Sequence, residues 1–398
     1  MSRSCLQVPG FRAAGVRCGI KDRGLDLALI ASDRPAAAAG LLTRSSVVGA
    51  PVDLCRAHLR GGRAQAIVAN SGISNVAMGA RGRRDALEMA SRAARALDLS
   101  PSDVLVASTG VIGEPLPMPR IRRGIGQAAD ALEAAGLGRA AQAIMTTDTF
   151  AKCASARVRV GGRAVTVTGI AKGSGMIEPR MATMLAFLVT DAAATSTYLK
   201  RVLRQTADES FNRVSVDGET STSDTLLLLA GGAAGNPMLR DATSPGARRF
   251  AEAVAQVSTA LAQDLARDGE GATKLVHVQV RGAYSRREAE RAARRVANSL
   301  LVKTALFGRD ANWGRILQTV GAARVRLRLD RVEVSLCGVP VFRRGASTGP
   351  AARRRAAARL RAREVEVEVS LGAGSARAAV WTCDLSYDYV RINAEYTT

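Results

Sequence analysis

The fold is organised around residues 169–191, which read GIAKGSGMIEPRMATMLAFLVTD. A glycine-rich turn carries Lys172, and Pro179 ends that turn. The apolar run that follows, from Met184 to Val189, predicts a buried strand. Thr183 stands at the entry to this strand. A hydroxyl residue beside a glycine loop and a lysine is unusual in a segment that serves only as scaffold.

Thr183 has two interpretations on local pattern alone. In the first, it is a β-branched residue that suits a strand. In the second, the backbone is cut before Thr183, and the new α-amine activates the hydroxyl of the same residue. Such an amine titrates at about pH 8, so a useful fraction is neutral and can accept the hydroxyl proton. This arrangement needs no histidine as base, which suits a chain with only two histidines.

Length and composition are those of a globular protein with two or three domains: 398 residues, 47% hydrophobic and 23% charged. No apolar run approaches the length of a membrane span, and the N-terminus lacks the apolar core of a secretory signal. We therefore predict a cytoplasmic protein that does not bind membranes. The six cysteines are scattered without a C-x-x-C pair, so neither a disulfide framework nor a zinc site is expected, and a reduced compartment fits.

The net charge of +22 raises the question of nucleic-acid binding. The excess is almost entirely arginine, and aromatic residues make up only 4% of the chain, which leaves few stacking platforms for bases. A solvated basic surface is therefore favoured, and no nucleic-acid partner is predicted. A non-enzymatic basic binding protein stays open as an alternative.

Several elements follow from pattern. Residues 157–170 predict a hairpin, because two alternating strands flank a Gly-Gly turn. Apolar periodicity predicts helices over 197–212 and 247–266. Residues 383–398 predict a strand with a polar tail. The character of the sequence changes around residue 280, where a basic helical segment begins. This change predicts a nucleophile-bearing domain over 1–280 and a smaller domain over 281–398.

Four short segments hold candidate residues, and three of the four also have a purely structural interpretation. The strand VLVAS delivers Thr109 and Gly110 into a turn, where outward N–H groups can hold an oxyanion, although an ordinary turn would look the same. Asp148 lies among hydroxyl residues in IMTTDT, which is typical of a capping segment. Lys172 suits a substrate carboxylate, or it is a solvated lysine. Glu270 sits between glycines directly before a strand.

Seven blocks of the sequence resemble the ornithine acetyltransferases, or glutamate N-acetyltransferases, of arginine biosynthesis. They read ASTGVIGEPLPM, IMTTDTF, KGSGMIEPRMATMLAF, SVDGETSTSDT, DGEGATK, GRDANWGRI and DLSYDYVRINAEYTT. The match runs in family order from residue 11 to residue 398, and the combination is highly specific. It also begins so early that no removable targeting peptide is expected before it.

The resemblance implies an α/β fold of layered sheets with flanking helices, of the aminopeptidase-like N-terminal-nucleophile type, plus a smaller C-terminal α/β domain. It implies self-cleavage between Ala182 and Thr183, with Thr183 as nucleophile. It places the oxyanion hole at Thr109 and Gly110. It implies that the C-terminal tail completes the active site, and that the substrate-contacting positions are Thr146, Lys172, Thr183, Glu270, Asn393 and Thr398.

The implied reaction moves acetyl from N-acetylornithine to glutamate through an acetyl-Thr183 intermediate, with no metal or other cofactor. The family also implies a heterotetramer of two α and two β chains from the cleaved precursor. Whether acetyl-CoA also donates is left open. The alternatives are a self-cleaving amidase or aminopeptidase and an acetyltransferase of another pathway. Departures from the family pattern at residues 73–75, Ala151 and Arg180 bear on substrate preference and remove no catalytic group.

Overall fold

The computed structural model describes residues 5–178 and 184–395. These residues form two compact units. The first unit comprises residues 5–178, 184–212 and 220–262, and the second comprises residues 213–219 and 263–395. No helix within the described ranges is long and apolar enough to cross a membrane.

The first unit is built around one mixed sheet. Its described strands are β1 (Phe11–Val16), β2 (Leu27–Leu42), β3 (Arg63–Ile73), β4 (Val104–Val111), β5 (Lys152–Val160), β6 (Arg163–Lys172), β7 (Leu185–Thr190) and β8 (Thr225–Ala230). Its helices are α1 (Ala50–His58), α2 (Gly79–Leu97), α3 (Met118–Asp130), α4 (Leu137–Ala143), α5 (Ser196–Glu209) and α6 (Pro245–Arg267), the last with residues 245–262 in this unit. The strand order is β4-β3-β2-β8-β7-β6-β5, and β1 also pairs with β2.

The alternating direction of the side chains along β2 explains how one sheet supports a helix layer on each face. Leu27 and Leu29 pack into one core cluster with residues of α2 and α3. Ala28 and Ile30 point the other way and pack into a second cluster with residues of α4. Successive side chains of a strand point to opposite faces, so an unbroken apolar run is buried on both sides. The predicted α/β class, with layered sheet and flanking helices, is confirmed.

The predicted hairpin and helices of this unit are also present. β5 and β6 pair antiparallel around Gly161 and Gly162, whose φ angles of 56° and 80° suit the tight turn. A Cβ on Gly169 of β6 would lie 2.9 Å from side-chain atoms of Val257 and Leu261. Glycine at this position therefore lets α6 pack directly on β6, the strand that ends at Lys172.

One expectation about cysteines is wrong. Cys5 and Cys153 form a disulfide, whereas no disulfide was predicted from the spacing. The N-terminal segment lies along β5, where Leu6 N donates to Ser155 Oγ at 3.0 Å. The disulfide joins residues 148 positions apart, which no local cysteine pattern can reveal.

The second unit has its own six-stranded sheet in the described part of the chain. Its strands are β9 (Leu275–Ala283), β10 (Glu333–Leu336), β11 (Val339–Arg343), β12 (Ala346–Ser347), β13 (Glu364–Ser370) and β14 (Ala376–Cys383), in the order β12-β11-β10-β13-β9-β14. Its helices are α7 (Arg286–Ala297), α8 (Leu300–Phe307), α9 (Trp313–Gly321), α10 (Pro350–Arg359) and α11 (Tyr387–Glu395). Buried alanines of α7 and valines of β9 share one core cluster.

The compact units divide before the predicted boundary near residue 280. That residue lies within β9, which pairs with β13 and β14 of the second unit. Residues 213–219 join the same unit because Ser215 N donates to Trp381 O at 2.9 Å. We propose that the two domains divide between residues 262 and 263.

The predicted C-terminal strand is wrong beyond Cys383, where β14 ends. The carboxylate of Asp384 accepts hydrogen bonds from Thr273 N at 2.8 Å and Lys274 N at 3.0 Å, which turns the chain out of the sheet. Ser386 Oγ then accepts from Asp388 N at 3.2 Å, as a residue at a helix start does. The remaining described residues form α11 instead of a polar tail.

Candidate active site

Thr109 and Gly110 lie near the end of β4, beside the end of β3. The two strands are parallel, with Ser71 opposite Thr109 and Gly72 opposite Gly110. Gly110 has a φ angle of 127°, and a Cβ on it would lie 2.2 Å from the carbonyl carbon of Gly72. Only glycine permits this close approach of two backbones. The turn predicted directly after Ser108 is wrong, because β4 continues through Thr109 and Gly110 to Val111. Both residues are half-buried, so this end of β4 is reachable from outside the core.

Polar side chains hold this end of β3 in place. Ser108 Oγ donates to Asn70 Oδ1 at 2.6 Å, and Asn70 Nδ2 donates to Ile73 O at 2.9 Å. Ser74 donates to Val111 O from both its backbone N (2.9 Å) and its Oγ (2.8 Å). Ile73 and Ser74, two of the positions at which this chain departs from the family pattern, therefore take part in the hydrogen bonds at this end of β3 and β4.

Replacing Gly110 with alanine should abolish acetyl transfer and lower the melting temperature, because the new Cβ would overlap the backbone of Gly72. Gly126→Ala is the matched control, since a Cβ there meets nothing within 4 Å. Steady-state kinetics and thermal melting of the two variants check this. A Gly110→Ala protein with wild-type activity and melting temperature would show that the close approach of Gly110 to Gly72 is not required.

Lys172 lies at the end of β6, and its ammonium reaches the same end of β4. Nζ donates to Thr109 Oγ1 at 3.1 Å, and the lysine is only 8% exposed. An ammonium has no acceptor, so Thr109 must accept in this contact. That orientation leaves the hydroxyl hydrogen of Thr109 to be donated elsewhere, as an oxyanion hole requires. The structure thus brings together two residues that the resemblance assigned to separate roles.

Asp148 connects two chain segments near this end of β4 by hydrogen bonds. Its Oδ1 accepts from Lys152 Nζ at 2.6 Å and from Gly173 N at 2.7 Å, and its Oδ2 accepts from Thr146 N at 3.0 Å. Gly173 follows Lys172 directly and has a φ angle of 149°. One buried carboxylate therefore fixes the backbone on the Thr146 side and on the Lys172 side.

The charges around Asp148 decide its ionisation. Burial raises the pKa of its carboxyl, but Lys152, Lys172 and the Gly173 N–H lower it more, so the pKa falls to about 2. The side chains of Asp148 and Lys152 are both fully buried. The sequence interpretation gave Asp148 a capping role only. Its bond to the Thr146 N–H fits that role, whereas its contacts with Lys152 and Gly173 depend on the folded sheet.

Glu270 and Asn393 contact each other in the second unit. Asn393 Nδ2 donates to Glu270 Oε2 at 2.7 Å, and Glu270 is 7% exposed. A Cβ on Gly271 would lie 2.5 Å from Tyr389 N, so the glycine lets the turn after Glu270 pack on α11. Burial raises the pKa of Tyr389 to about 12, and nearby carboxylates, Glu270 among them, add to the rise. The structure thus joins two of the predicted substrate residues within this unit.

Three predicted residues, Ala182, Thr183 and Thr398, lie outside the described residues. Their roles in cleavage, nucleophilic attack and substrate contact stay predictions. Within the described ranges, no group of three or more His, Cys, Asp or Glu side chains is placed to hold a metal ion.

Comparison with known proteins identifies the family of the chain. The ArgJ family model matches residues 12–398. The chain is 50% identical over 397 residues to the arginine biosynthesis bifunctional protein ArgJ of Symbiobacterium thermophilum, covering 98% of this chain and 97% of that protein. It is also 50% identical over 394 residues to the protein of the same name from Geobacter sulfurreducens, covering 99% and 100%.

A solved structure of the same kind aligns with part of the chain. The crystal structure of ArgJ from Bacillus halodurans has a TM-score of 0.51 and 39% sequence identity, covering 53% of this chain and 98% of that one. The family match spans almost the whole sequence, and the relatives match over nearly their full lengths. The predicted acetyltransferase of arginine biosynthesis is therefore confirmed, and the chain belongs to the ArgJ family.

Proposed function

We propose that this enzyme moves acetyl from N-acetylornithine to glutamate in two half-reactions on Thr183. The Thr183 hydroxyl first attacks the Ala182 carbonyl, which moves the acyl group from the Thr183 nitrogen to its Oγ, and water then hydrolyses this ester to leave the Ala182 carboxylate and free the hydroxyl. The freed α-amine then serves as the base for the same hydroxyl. In the first half-reaction Thr183 Oγ takes the acetyl group and ornithine leaves. In the second, the α-amine of glutamate attacks acetyl-Thr183 and restores the hydroxyl.

The observation that carries this proposal is the bond from Lys172 to Thr109. Each half-reaction passes through a tetrahedral intermediate with a negative oxygen, which two fixed donors would stabilise. Thr109 Oγ and Gly110 N would supply those donors, and the contact from Lys172 Nζ at 3.1 Å orients the hydroxyl for that task. Leu185, two residues after Thr183 in the sequence, pairs with Lys172 across β7 and β6.

The two substrates share an α-carboxylate and an α-nitrogen, whereas their side chains end in opposite charges. Lys172 suits the shared carboxylate, since it lies beside the proposed oxyanion hole, where the acetylated α-nitrogen must react. Thr146, Glu270 and Asn393 keep the substrate-contacting roles that the resemblance implies, and Glu270 is suited to an ammonium. The relatives are named bifunctional, and we propose acetyl-CoA as the second donor for glutamate.

Replacing Lys172 with methionine should lower kcat/KM for N-acetylornithine and for glutamate alike, by about 10–100-fold, because one charged hydrogen bond to the common end of both is lost. Exchange assays of each half-reaction measure the two values. Lys200→Met is the matched control, since Lys200 is an exposed lysine on α5. If only one substrate lost affinity, Lys172 would be contacting a side chain instead of the shared carboxylate.

The reaction itself is tested by incubating the cleaved protein with N-acetylornithine, with and without glutamate, and with acetyl-CoA as a separate donor. Formation of N-acetylglutamate and a mass increase of one acetyl group on the fragment beginning at Thr183 are expected. Release of free acetate at the same rate without glutamate would favour the amidase alternative. We further propose a cytoplasmic heterotetramer of two cleaved protomers, which native mass spectrometry of the mature protein checks.

A further inference from the structure

A buried carboxylate organises the loop that precedes β2. Asp26 is fully buried and accepts four backbone hydrogen bonds, from Cys18 (2.7 Å), Gly19 (2.9 Å), Ile20 (2.6 Å) and Lys21 (3.1 Å). Successive N–H groups that converge on one anion make a rigid turn. The backbone that leads up to Lys21 is therefore held in place, and so is the N–H group of Lys21 itself.

The aliphatic part of the Lys21 side chain lies near the proposed oxyanion hole. A Cβ on Gly72 would come within 3.0 Å of Lys21 Cγ, and the same glycine faces Gly110. At the other end of the side chain, Lys21 Nζ donates to Met145 O at 2.8 Å, directly before Thr146. The ammonium thus lies near the segment that Asp148 holds. An ammonium has three hydrogens, so the bond to Met145 leaves capacity for an anionic ligand.

The charges near Lys21 favour an anion with more than one carboxylate. Burial lowers the pKa of the Lys21 ammonium, Asp26 and Asp148 raise it, and the positive charge of Lys172 lowers it further. Asp148 is already paired with Lys152, and Asp26 is already surrounded by four N–H groups. Lys21 packs near Gly72 and Lys172 contacts Thr109, and these two residues lie on the paired ends of β3 and β4, so both lysines belong to the same region of the first unit.

We propose that Lys21 binds the side-chain carboxylate of the acceptor glutamate and so distinguishes the acceptor from the donor. This inference rests on the proposed function. Lys172 contacts Thr109, which is part of the proposed oxyanion hole. It therefore suits the α-carboxylate next to the reacting α-nitrogen. Lys21 reaches in from a different loop, on the Thr146 side, and suits the far end of the substrate. The side chain of N-acetylornithine ends in an ammonium, which Lys21 repels.

The two half-reactions allow a clean test. In a ping-pong cycle, kcat/KM for each substrate reports only the half-reaction in which that substrate takes part. Lys21→Met should lower kcat/KM for glutamate by about 10–100-fold, the effect of one charged hydrogen bond. The value for N-acetylornithine should stay unchanged or rise. The same substitution should narrow the preference of the enzyme for glutamate over glutamine as acceptor, because glutamine lacks the side-chain charge.

Controls separate this role from a structural one. Lys200→Met should change neither value, and Lys172→Met should lower both. Complete cleavage and an unchanged melting temperature show that Lys21→Met has folded. If it does not fold, Lys21→Arg, which keeps the charge, and Lys21→Gln, which removes it, are compared in the same assays. Glutamate activity should survive in the arginine variant and fall in the glutamine variant.

Two results would overturn the proposal. An equal loss for both substrates would place Lys21 at their common end, and an unchanged value for glutamate would remove it from the site. Failure of the proposed function looks different, because the wild-type protein would then transfer no acetyl group to any acceptor.

Discussion

Thr183→Ala should give a single uncleaved chain of 41.6 kDa that transfers no acetyl group. The substitution removes the hydroxyl that we propose attacks the Ala182 carbonyl and later carries the acetyl group, so cleavage and transfer should fail together. Loss of an essential nucleophile lowers the rate by about 10⁴-fold or more. Intact mass spectrometry and the acetyl-transfer assay measure the two effects independently.

Two further variants make this result specific. Thr183→Ser keeps a hydroxyl and should still be cleaved and active, although more slowly. Thr197→Ala, at an exposed threonine near the start of α5, should behave as wild type. Two fragments from Thr183→Ala would refute self-cleavage at this bond. Full activity in its uncleaved chain would refute Thr183 as the nucleophile.

Asp148→Ala should lower the free energy of unfolding by about 3–5 kcal/mol, because it leaves the ammonium of Lys152 buried without its carboxylate. It should also lower kcat/KM for both substrates, since Gly173 and Thr146 lose the acceptor that fixes their backbone. Urea denaturation and steady-state kinetics measure these changes. An unchanged free energy of unfolding would show that the ion pair between Asp148 and Lys152 does not stabilise the fold.

A double variant separates the two roles of Asp148. Replacing both partners, as in Asp148→Ala with Lys152→Met, also removes the buried ammonium that has lost this carboxylate and should recover part of the lost stability. Activity should not recover, because the hydrogen bonds to the Gly173 and Thr146 N–H groups are still missing. Recovery of activity along with stability would mean that Asp148 acts only by neutralising Lys152.

The same carboxylate predicts an acid dependence of stability. Its pKa is about 2 in the folded protein and about 3.9 in an unfolded chain, so the unfolded state binds more protons at acid pH. The contribution is present above about pH 4 and is lost as the pH falls toward 2. Urea midpoints between pH 5 and pH 3 should therefore fall more steeply for wild type than for the double variant.

The lysines show what a sequence of this composition can reveal. Lysine and arginine together number 57, yet only six are lysine. Four of these, Lys152, Lys172, Lys274 and Lys303, are less than 9% exposed. A compact ammonium fits a buried point contact that the planar arginine fork does not. Where arginine supplies the basic surface, each lysine is a candidate for a buried or functional ammonium, and this signal would have pointed to Lys152 and Lys21, although Lys200 is exposed.

Other features of the fold depended on contacts that local sequence does not contain. Alternation predicted the β5–β6 hairpin, and helical periodicity predicted α5 and α6, because both signals lie within a few residues. The disulfide between Cys5 and Cys153 depends on the N-terminal segment lying along β5. The end of β14 depends on the bonds from residues 273 and 274 to Asp384. Both are long-range contacts, so the sequence interpretation missed them.

The strand order of the first unit has a consequence for the mature enzyme. β2 and β6 precede the proposed cleavage bond, whereas β7 and β8 follow it and lie between them in the sheet. Cutting the backbone would therefore leave two polypeptides interleaved within one continuous ladder of hydrogen bonds. The products would form an obligate heterodimer that comes apart only on denaturation, and neither polypeptide made alone would be expected to fold.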